Sequence, residues 1–270
     1  MRLLLCLLAS ACVSSAVYAA PQRVVALGGV VTEIVYDLGQ GGRLVAGDLS
    51  SLYPEAAMRL PRVGYYRALS LEGILSVKPD LVLASENAGP RGVLDQIQGM
   101  GVAVERVSDG PSLSSLYARV DEIARVLGVP DQGAVLAARI RAGIEEARAQ
   151  PGKPLRTLLL MNRTGRFMAA GARTAAHEIL TLAGLDNVLA GQAGYQALSA
   201  EGVAALAPDM IVITTASLNS GGIDDFLAQP GIVSTPAARA ARVFAMDDLL
   251  ILGLGPRTGE AIRILKQASQ

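Results

Sequence analysis

The sequence predicts an α/β protein made of two βαβ-type lobes with mainly parallel central sheets, joined by one long helix. Three observations support this fold. Short β-branched runs alternate with helical segments in both halves of the chain. A single helical segment lies between the halves, and a motif of the first half returns in the second. We expect lobes at 21–128 and 155–270, a connecting helix within 129–154, and a ligand cleft where the lobes face each other.

Residues 1–20 have the pattern of a secretory signal peptide, which implies an exported protein. Arg2 supplies the positive start, an apolar stretch follows, and the small residues around Ala19 suit a cleavage site. Both cysteines, Cys6 and Cys12, lie in this leader, so the mature chain would have neither a disulfide nor a zinc–thiolate site. A lipid-anchored form through Cys12 is the alternative, although the residues before it match a lipoprotein signal poorly.

The composition limits the classes of partner. Across 270 residues, 24 basic side chains balance 24 acidic ones, whereas nucleic-acid and anionic-membrane surfaces need a basic excess. The chain has no Trp and only 4% aromatic residues, which argues against a carbohydrate-stacking cleft. After the leader, no segment has the roughly 18 uninterrupted apolar residues of a membrane span.

The first lobe alternates strands and helices in a regular way. Its strands are short and apolar, as in "RVVAL", and its helices end at glycine or before proline, as at Gly39, Gly101 and Lys78-Pro79. The predicted strands are 23–27, 43–47, 80–85 and 102–107, and the predicted helices are 31–39, 70–77, 91–101 and 113–128. This order indicates βαβ units and a parallel sheet.

The connecting segment begins with a helix-start signal, Pro130-Asp131, and ends with the helix breakers Pro151-Gly152. We expect one rigid helix of about 20 residues that holds the lobes at a nearly fixed distance. The alternation of strands and helices then restarts. The second lobe is predicted to contain strands 156–162, 209–215 and 242–246 and helices 174–183, 199–206 and 258–268.

A motif of the first lobe is repeated in the second. The segment "GYYRALSLEGILSVKPD", residues 64–80, returns in large part as "GYQALSAEGVAALAPD", residues 194–209. The offset is 129 positions, as from Glu72 to Glu201. We interpret the two halves as related lobes. The alternative is that the alternation of strands and helices alone produced the match.

An exported, two-lobed α/β chain with a helical connection resembles the class III substrate-binding proteins of ABC importers. The resemblance covers nearly all of the mature chain, and its markers are "LSLEGILSVKPDLVLAS", "ALSAEGVAALAPDMIVIT" and "LLILGLGPRTGEAI". Known ligands in this class include haem, corrinoids and ferric siderophores, while a sister group binds zinc or manganese through several histidines. This chain has one His, which argues against the metal-ion group.

The segment "RVGYYRALS" is similar to the V-G-Y-x-R segment of periplasmic haem-binding proteins. The resemblance implies that Tyr65 is the axial ligand of the iron in ferric haem and that Arg67 supports it. It also implies a monomer that delivers haem to the membrane subunits of an ABC importer. A carrier of the same class for a ferric siderophore or a corrinoid, such as vitamin B12, is the alternative.

The chemistry of a tyrosine ligand agrees with this assignment. A phenol has a pKa near 10 and becomes an anion at neutral pH only when a cation or Fe(III) stabilises the phenolate. Because residues i and i+2 of an extended segment point the same way, we expect Arg67 to reach the Tyr65 oxygen or a haem propionate. Tyr66 would then face elsewhere and pack, as would its repeat partner Tyr195. The alternative is that Tyr65 and Tyr66 both only cover a loop.

Three arginines, Arg163, Arg166 and Arg173, are expected at the cleft-facing end of the second lobe. Arg173 is our first choice for pairing with a haem propionate, because guanidinium and carboxylate form a bidentate fork. The only His, His177, lies in the first turn of a predicted helix and is expected to be exposed rather than a ligand. Some relatives carry a His after the first strand of this lobe, where this chain has Asn162-Arg163.

Glu72 and Glu201 are the acidic pair at matching positions of the repeat. Each follows a predicted N-cap serine by two residues, and a carboxylate in the first turn stabilises a helix by about 0.3–1 kcal/mol through its dipole. That effect alone would explain the pair. In related vitamin and iron carriers, however, the glutamates at this place contact arginines of the importer's membrane subunits. The resemblance therefore implies a docking role for both residues.

The sequence contains no complete catalytic motif. The segment "GLGPRTG", residues 253–259, is not G-x-G-x-x-G and no βαβ unit follows it. There is no G-x-S-x-G motif and no Walker loop. The chain also lacks a second His that could help to build a base–nucleophile pair. We predict a binding protein rather than an enzyme, and we expect Arg257 to serve the turn before the last helix.

Overall fold

The computed structural model of the protein describes residues 20–163, 166–218 and 220–270. The predicted leader lies outside the described residues, apart from Ala20. The elements of the N-terminal half are β1 (Val24–Leu27), α1 (Gly29–Asp37), β2 (Leu44–Gly47), α2 (Glu55–Met58), β3 (Gly64–Tyr65), β4 (Ala68–Leu69), α3 (Leu71–Leu75), β5 (Leu81–Ser85), α4 (Arg91–Gly99), β6 (Ala103–Val107), α5 (Leu113–Val126) and α6 (Pro130–Arg148).

The elements of the C-terminal half include several short pieces that the sequence pattern did not indicate. They are β7 (Arg156–Arg163), β8 (Arg166–Ala170), α7 (Ala175–Leu182), β9 (Asp186–Asn187), β10 (Tyr195–Leu198), α8 (Ala200–Leu206), β11 (Met210–Thr214), α9 (Gly222–Leu227), α10 (Pro230–Val233), α11 (Pro236–Arg239), β12 (Val243–Met246), α12 (Asp248–Leu252) and α13 (Thr258–Ala268). Within the described ranges, no helix combines the length and apolar character that crossing a membrane requires.

The N-terminal sheet has four parallel strands in the order β2-β1-β5-β6. β1 and β5 are buried along their whole length, as expected of parallel strands that are covered on both faces. Alternate residues enter different core clusters. Val24 packs with residues of α1 and α5, whereas Val25 packs with residues of α3 and α4. The prediction of an α/β fold with a parallel central sheet is confirmed.

The C-terminal sheet is mixed, in the order β10-β8-β7-β11-β12, with β9 also paired to β7. β11 is parallel to both β7 and β12. β8 runs antiparallel to β7, and β10 runs antiparallel to β8. The antiparallel part arises because β8 follows β7 too closely for the crossover of a dozen or more residues that parallel pairing needs. This hairpin was absent from the sequence prediction.

The helix α6 connects the two halves. Its 19 residues bury Leu136, Ile140 and Ile144, and the helix packs against both α5 and α13. The approach to α13 is close, since a Cβ on Gly259 would lie 2.7 Å from the carbonyl oxygen of Gly143. A continuous, packed helix therefore links the lobes, although it ends before the predicted limit of 154.

The repeat of the sequence corresponds to a repeated structural unit, β4–α3–β5 in the first half and β10–α8–β11 in the second. Ser70 Oγ accepts a hydrogen bond from Gly73 N (3.3 Å), and Ser199 Oγ accepts one from Gly202 N (3.1 Å). Both serines therefore cap a helix in the same way.

The end of each repeated helix is held by an arginine at the start of the first strand of its lobe, Arg23 directly before β1 and Arg156 as the first residue of β7. Arg23 donates to the carbonyl oxygens of Val77 (2.6 Å) and Lys78 (2.8 Å). The equivalent donations from Arg156 go to Leu206 (2.9 Å) and Ala207 (2.8 Å). Lys78 and Ala207 are both left-handed, with φ of 48° and 44°. Such matching detail supports the interpretation of two related lobes.

Candidate ligand-binding cleft

A cleft of about 760 Å³ lies between the two halves of the molecule. The carboxyl ends of the N-terminal parallel strands open into it, which is where open α/β sheets bind ligands. The first half lines the cleft with the turn after β1, residues 49–52, the β3–β4 hairpin and residues after β5 and β6. The second half lines it with residues 173–175, 194–195 and 248–254.

Tyr65 occupies the end of a two-stranded hairpin at this cleft. β3 pairs with β4 through Gly64↔Leu69 and Tyr65↔Ala68, so Tyr66 and Arg67 form the turn. Tyr65 is 36% exposed, and its ring contacts the Tyr66 ring edge-on, with 5.0 Å between centroids. Within the described part of the chain, the Tyr65 hydroxyl has no hydrogen-bond partner. It is therefore available to a ligand.

Arg67 contacts Tyr66 rather than the Tyr65 oxygen, one of its two expected partners; the other, a haem propionate, stays a prediction. Its Nε donates to Tyr66 Oη at 2.8 Å, and its guanidinium lies over the Tyr66 ring at 5.1 Å from the centroid. The rule that residues i and i+2 point the same way holds for an extended strand, whereas Arg67 lies in the turn. Burial raises the pKa of Tyr66 to about 12 even though Arg67 opposes the shift.

Large apolar side chains are exposed on the walls of the cleft. Leu49 is 56% exposed and Leu52 46% exposed on the first lobe, and Tyr195 is 40% exposed on the second. A flat apolar ligand would cover these side chains. No sequence pattern indicated Leu49 and Leu52, because the contacts of a leucine in a loop cannot be inferred from its neighbours in the sequence. Tyr195, predicted to pack like Tyr66, lines the cleft.

A buried arginine lies at the floor of the cleft. Arg119, on α5, is within 2.8 Å of Asp109 Oδ1 through its Nη2, and its Nη1 donates to the carbonyl oxygen of Leu254 at 3.0 Å. Its Nε donates to the carbonyl oxygen of Ser108. Burial lowers the pKa of Arg119. Because Leu254 belongs to the second half, Arg119 bonds across the base of the cleft, a role that its place in an amphipathic helix did not reveal.

Arg173 is exposed at the margin of the cleft, next to the buried N-cap Thr174 of α7. It has a left-handed backbone, with φ of 58°.

His177 is half-buried, which corrects the expected exposure: its Nδ1 is 3.1 Å from Nδ2 of the buried Asn187. Within the described ranges, no three His, Cys, Asp or Glu side chains are grouped to hold a metal ion. The side chain of Arg163 lies outside the described part.

Arg257 joins the two lobes instead of only serving a turn. Its Nε and Nη2 lie 3.1 and 3.4 Å from the carboxylate oxygens of Glu33 on α1, and its guanidinium stacks on Tyr53 at 3.7 Å from the centroid. Asp247 Oδ1 is 3.7 Å away from Nη2. Burial raises the pKa of Glu33 to about 7, against the opposing effect of Arg257.

Glu72 and Glu201 are both exposed in the first turns of their helices, α3 and α8. The pKa of Glu201 is lowered by a hydrogen bond from its own backbone N–H and by one from the side chain of Ser199. Neither residue lines the cleft. The two carboxylates therefore lie on the surface at equivalent places of the repeated unit.

The chain matches a family model described as "Periplasmic binding protein" over residues 24–250. It is 30% identical over 198 residues to the vitamin B12-binding protein of Yersinia pestis (strain Pestoides F), which covers 72% of this chain and 70% of that protein.

Two solved structures extend the comparison. Similarity to the periplasmic heme-binding protein RhuT from Roseiflexus sp. RS-1 in apo form has a TM-score of 0.85 and 40% identity, covering 92% of this chain and 97% of RhuT. For the periplasmic heme-binding protein BhuT in complex with two hemes, the TM-score is 0.84 with 40% identity, covering 91% of this chain and 97% of BhuT. The chain therefore belongs to the periplasmic binding protein family, whose members deliver their ligands to ABC importers.

Proposed function

We propose that the protein binds ferric haem in the cleft between its lobes, with Tyr65 as the axial iron ligand, and delivers it to an ABC importer. The observation that carries this proposal is the Tyr65 phenol, which is exposed to the cleft at the tip of a hairpin and unpaired within the described residues. A protein that must later release its ligand benefits from one strong bond to the iron rather than two.

The surroundings of Tyr65 suit a porphyrin. Leu49, Leu52 and Tyr195 offer apolar contacts from both lobes, and Arg67 and Arg173 stand at the cleft as cations for the two propionates. A guanidinium binds a carboxylate through two parallel hydrogen bonds. The structural similarity to RhuT and BhuT, at 40% identity, supports haem as the ligand class.

The test is a titration of the purified mature protein with haemin, followed by absorbance and electron paramagnetic resonance. We expect a high-spin Fe(III)–phenolate spectrum for the wild type. Tyr65→Phe should remove that spectrum without changing the fold, because the ring stays and only the oxygen donor is lost. A Tyr65→Phe protein with the wild-type spectrum and affinity would exclude Tyr65 as the ligand.

A corrinoid carrier is the second candidate, because the vitamin B12-binding protein of Yersinia pestis is 30% identical to this chain. A corrinoid carries a nucleotide loop in addition to its ring and is larger than haem. Competition distinguishes the two. Excess cyanocobalamin should not displace haemin. If it does, and if cobalamin binds with an affinity equal to that of haemin, the corrinoid interpretation is favoured.

We also propose that Glu72 and Glu201 dock the protein, as a monomer, on the two membrane subunits of the importer. Both are exposed at equivalent positions of the repeated unit, away from the cleft. A two-fold related pair of membrane subunits would then meet two equivalent carboxylates, one on each lobe. Arginine is the expected partner, since it pairs with carboxylates in a bidentate manner.

A further inference from the structure

Asp48, the first residue after β2, has a fully buried carboxylate. A buried charge is costly unless hydrogen bonds compensate for its lost hydration. The carboxylate accepts hydrogen bonds from Gly28 N (3.0 Å), Ser50 N (3.0 Å), Ser50 Oγ (2.9 Å), Ser51 Oγ (3.1 Å) and Tyr66 N (3.2 Å). One side chain therefore gathers backbone and hydroxyl donors from separate parts of the first lobe.

These donors belong to three segments that border the cleft: the turn after β1, the 49–52 loop and the hairpin of Tyr65. The segments also contact one another directly. Leu49 N donates to the carbonyl oxygen of Gly64 at 2.8 Å. A Cβ on Gly29 would lie 2.3 Å from the carbonyl oxygen of Ser50, so only glycine allows this approach. Asp48 is the common centre of that arrangement.

The backbone of Tyr66 is held from both sides. Its N–H donates to Asp48 Oδ2 at 3.2 Å, and its carbonyl oxygen accepts from Gly89 N at 2.9 Å. Because Tyr66 directly follows Tyr65 in a two-residue turn, fixing this peptide also fixes the direction in which the Tyr65 side chain leaves the hairpin.

We propose that Asp48 is a positioning residue for the iron ligand: its carboxylate holds the hairpin so that the Tyr65 phenol is already oriented when haem enters the cleft. This inference rests on the proposed function. A ligand that is oriented in advance loses less entropy on binding, and groups that orient a metal ligand typically change metal affinity by about 10- to 100-fold when they are replaced.

The test is Asp48→Asn, which keeps the shape of the side chain but turns an NH₂ group toward N–H and O–H donors. We expect haemin to dissociate about 10- to 100-fold faster, measured by transfer to excess apomyoglobin well below the unfolding temperature. The matched control is Asp80→Asn. Asp80 also accepts backbone bonds, from Gln22 N (2.8 Å) and Arg23 N (3.0 Å), but lies outside the cleft. Its replacement should leave the haemin dissociation rate unchanged, although both variants lose stability.

A double-mutant cycle shows whether Asp48 acts through Tyr65. If it does, Asp48→Asn should weaken haemin binding little further in a Tyr65→Phe background; additive losses would overturn the inference. A wild-type rate of release from Asp48→Asn would overturn it as well. If Asp48→Asn does not fold, Ser51→Ala is the second variant, because it removes one buried hydrogen-bond donor to Asp48. It should also accelerate the release of haemin, and an unchanged release rate would contradict the inference. A wild type without the Fe(III)–phenolate spectrum would instead reject the proposed function.

Discussion

Arg67 bonds to a phenol, but that phenol is Tyr66. Its Nε donates to Tyr66 Oη at 2.8 Å, so supporting a Tyr65 phenolate would require Arg67 to exchange one phenol for the other. The two phenols belong to neighbouring residues whose rings are in edge contact, with 5.0 Å between their centroids. Tyr66 thus holds the arginine next to Tyr65, the proposed iron ligand.

We predict that Arg67→Ala weakens haemin binding by about 1.5–3 kcal/mol, the usual contribution of a charge-assisted hydrogen bond, and less than Tyr65→Phe does. Fluorescence or absorbance titration with haemin measures both. Tyr66→Phe is the matched control: it removes the competing hydroxyl, keeps the ring, and should leave the Fe(III)–phenolate spectrum intact. If Tyr66→Phe removes that spectrum while Tyr65→Phe keeps it, the ligand is Tyr66.

The repeated β–α–β units carry their functional difference in a few side chains. In both units a serine caps the start of the helix, an arginine bonds to carbonyl oxygens at its end, and a glutamate lies in its first turn. Only the first has the two-residue turn of Tyr66 and Arg67, whereas the second enters the sheet as β10, paired with β8. The shared features serve the shared architecture, and the unshared hairpin presents Tyr65 to the cleft.

For the repeated helices α3 and α8, we predict that reversing both charges, Glu72→Lys with Glu201→Lys, leaves haemin affinity unchanged and greatly reduces transport by the reconstituted importer. The reason is that lysine would face the expected arginines of the membrane subunits. Stimulation of ATPase activity and haem uptake into proteoliposomes are the measurements.

The control for this double variant is Asp131→Lys with Glu260→Lys. These are exposed first-turn carboxylates of α6 and α13, so the change in net charge and in helix-dipole energy is matched. Transport should stay near the wild-type level in the control. Equal transport by both double variants would mean that Glu72 and Glu201 only stabilise the ends of their helices and do not dock the protein.

The two lobes are connected by more than the α6 helix. Arg119 bonds to the carbonyl oxygen of Leu254, Arg257 pairs with Glu33, and α13 packs along α6. We predict that the lobes close by only a small angle around haem. The radius of gyration should stay near the roughly 18 Å expected for a compact chain of about 250 residues. Small-angle X-ray scattering with and without haemin measures it, and a large compaction would contradict the rigid connection.

The Glu33–Arg257 pair should make stability depend on pH. The pKa of Glu33 is about 7 in the folded protein and 4.5 in its ordinary state, with burial as the main cause. The folded state therefore holds a proton that the unfolded state has already lost, and the contribution of Glu33 to stability falls as the pH rises from about 4.5 to about 7.

We predict that the free energy of unfolding of the wild type, relative to Glu33→Gln, decreases over this pH range and then levels off. Urea unfolding at several pH values measures the difference, and glutamine supplies a side chain of similar shape that does not titrate. A difference that grows with pH would mean that the ion pair with Arg257 dominates over the burial of Glu33.

Local patterns were enough to predict much of this protein. In the first half, each predicted strand and helix forms within two residues of its expected bounds, because apolar periodicity, serine caps and glycine stops act between neighbouring residues. The sequence alone also revealed the repeat that includes Ser70 and Ser199, and it revealed the V-G-Y-x-R segment. Both depend only on the type and order of residues. The α/β class and the family follow from those features.

The tertiary structure decided which side chains meet. Arg119 bonds to Leu254, and Glu33 pairs with Arg257, across more than 100 positions of the chain, so no local pattern predicts either contact. The partner of Arg67 depends on a turn geometry that only the pairing of β3 with β4 defines. Hydrogen bonds need their donor and acceptor close together, typically at about 2.7–3.2 Å, and for residues far apart in sequence that distance is set by the packing of the lobes.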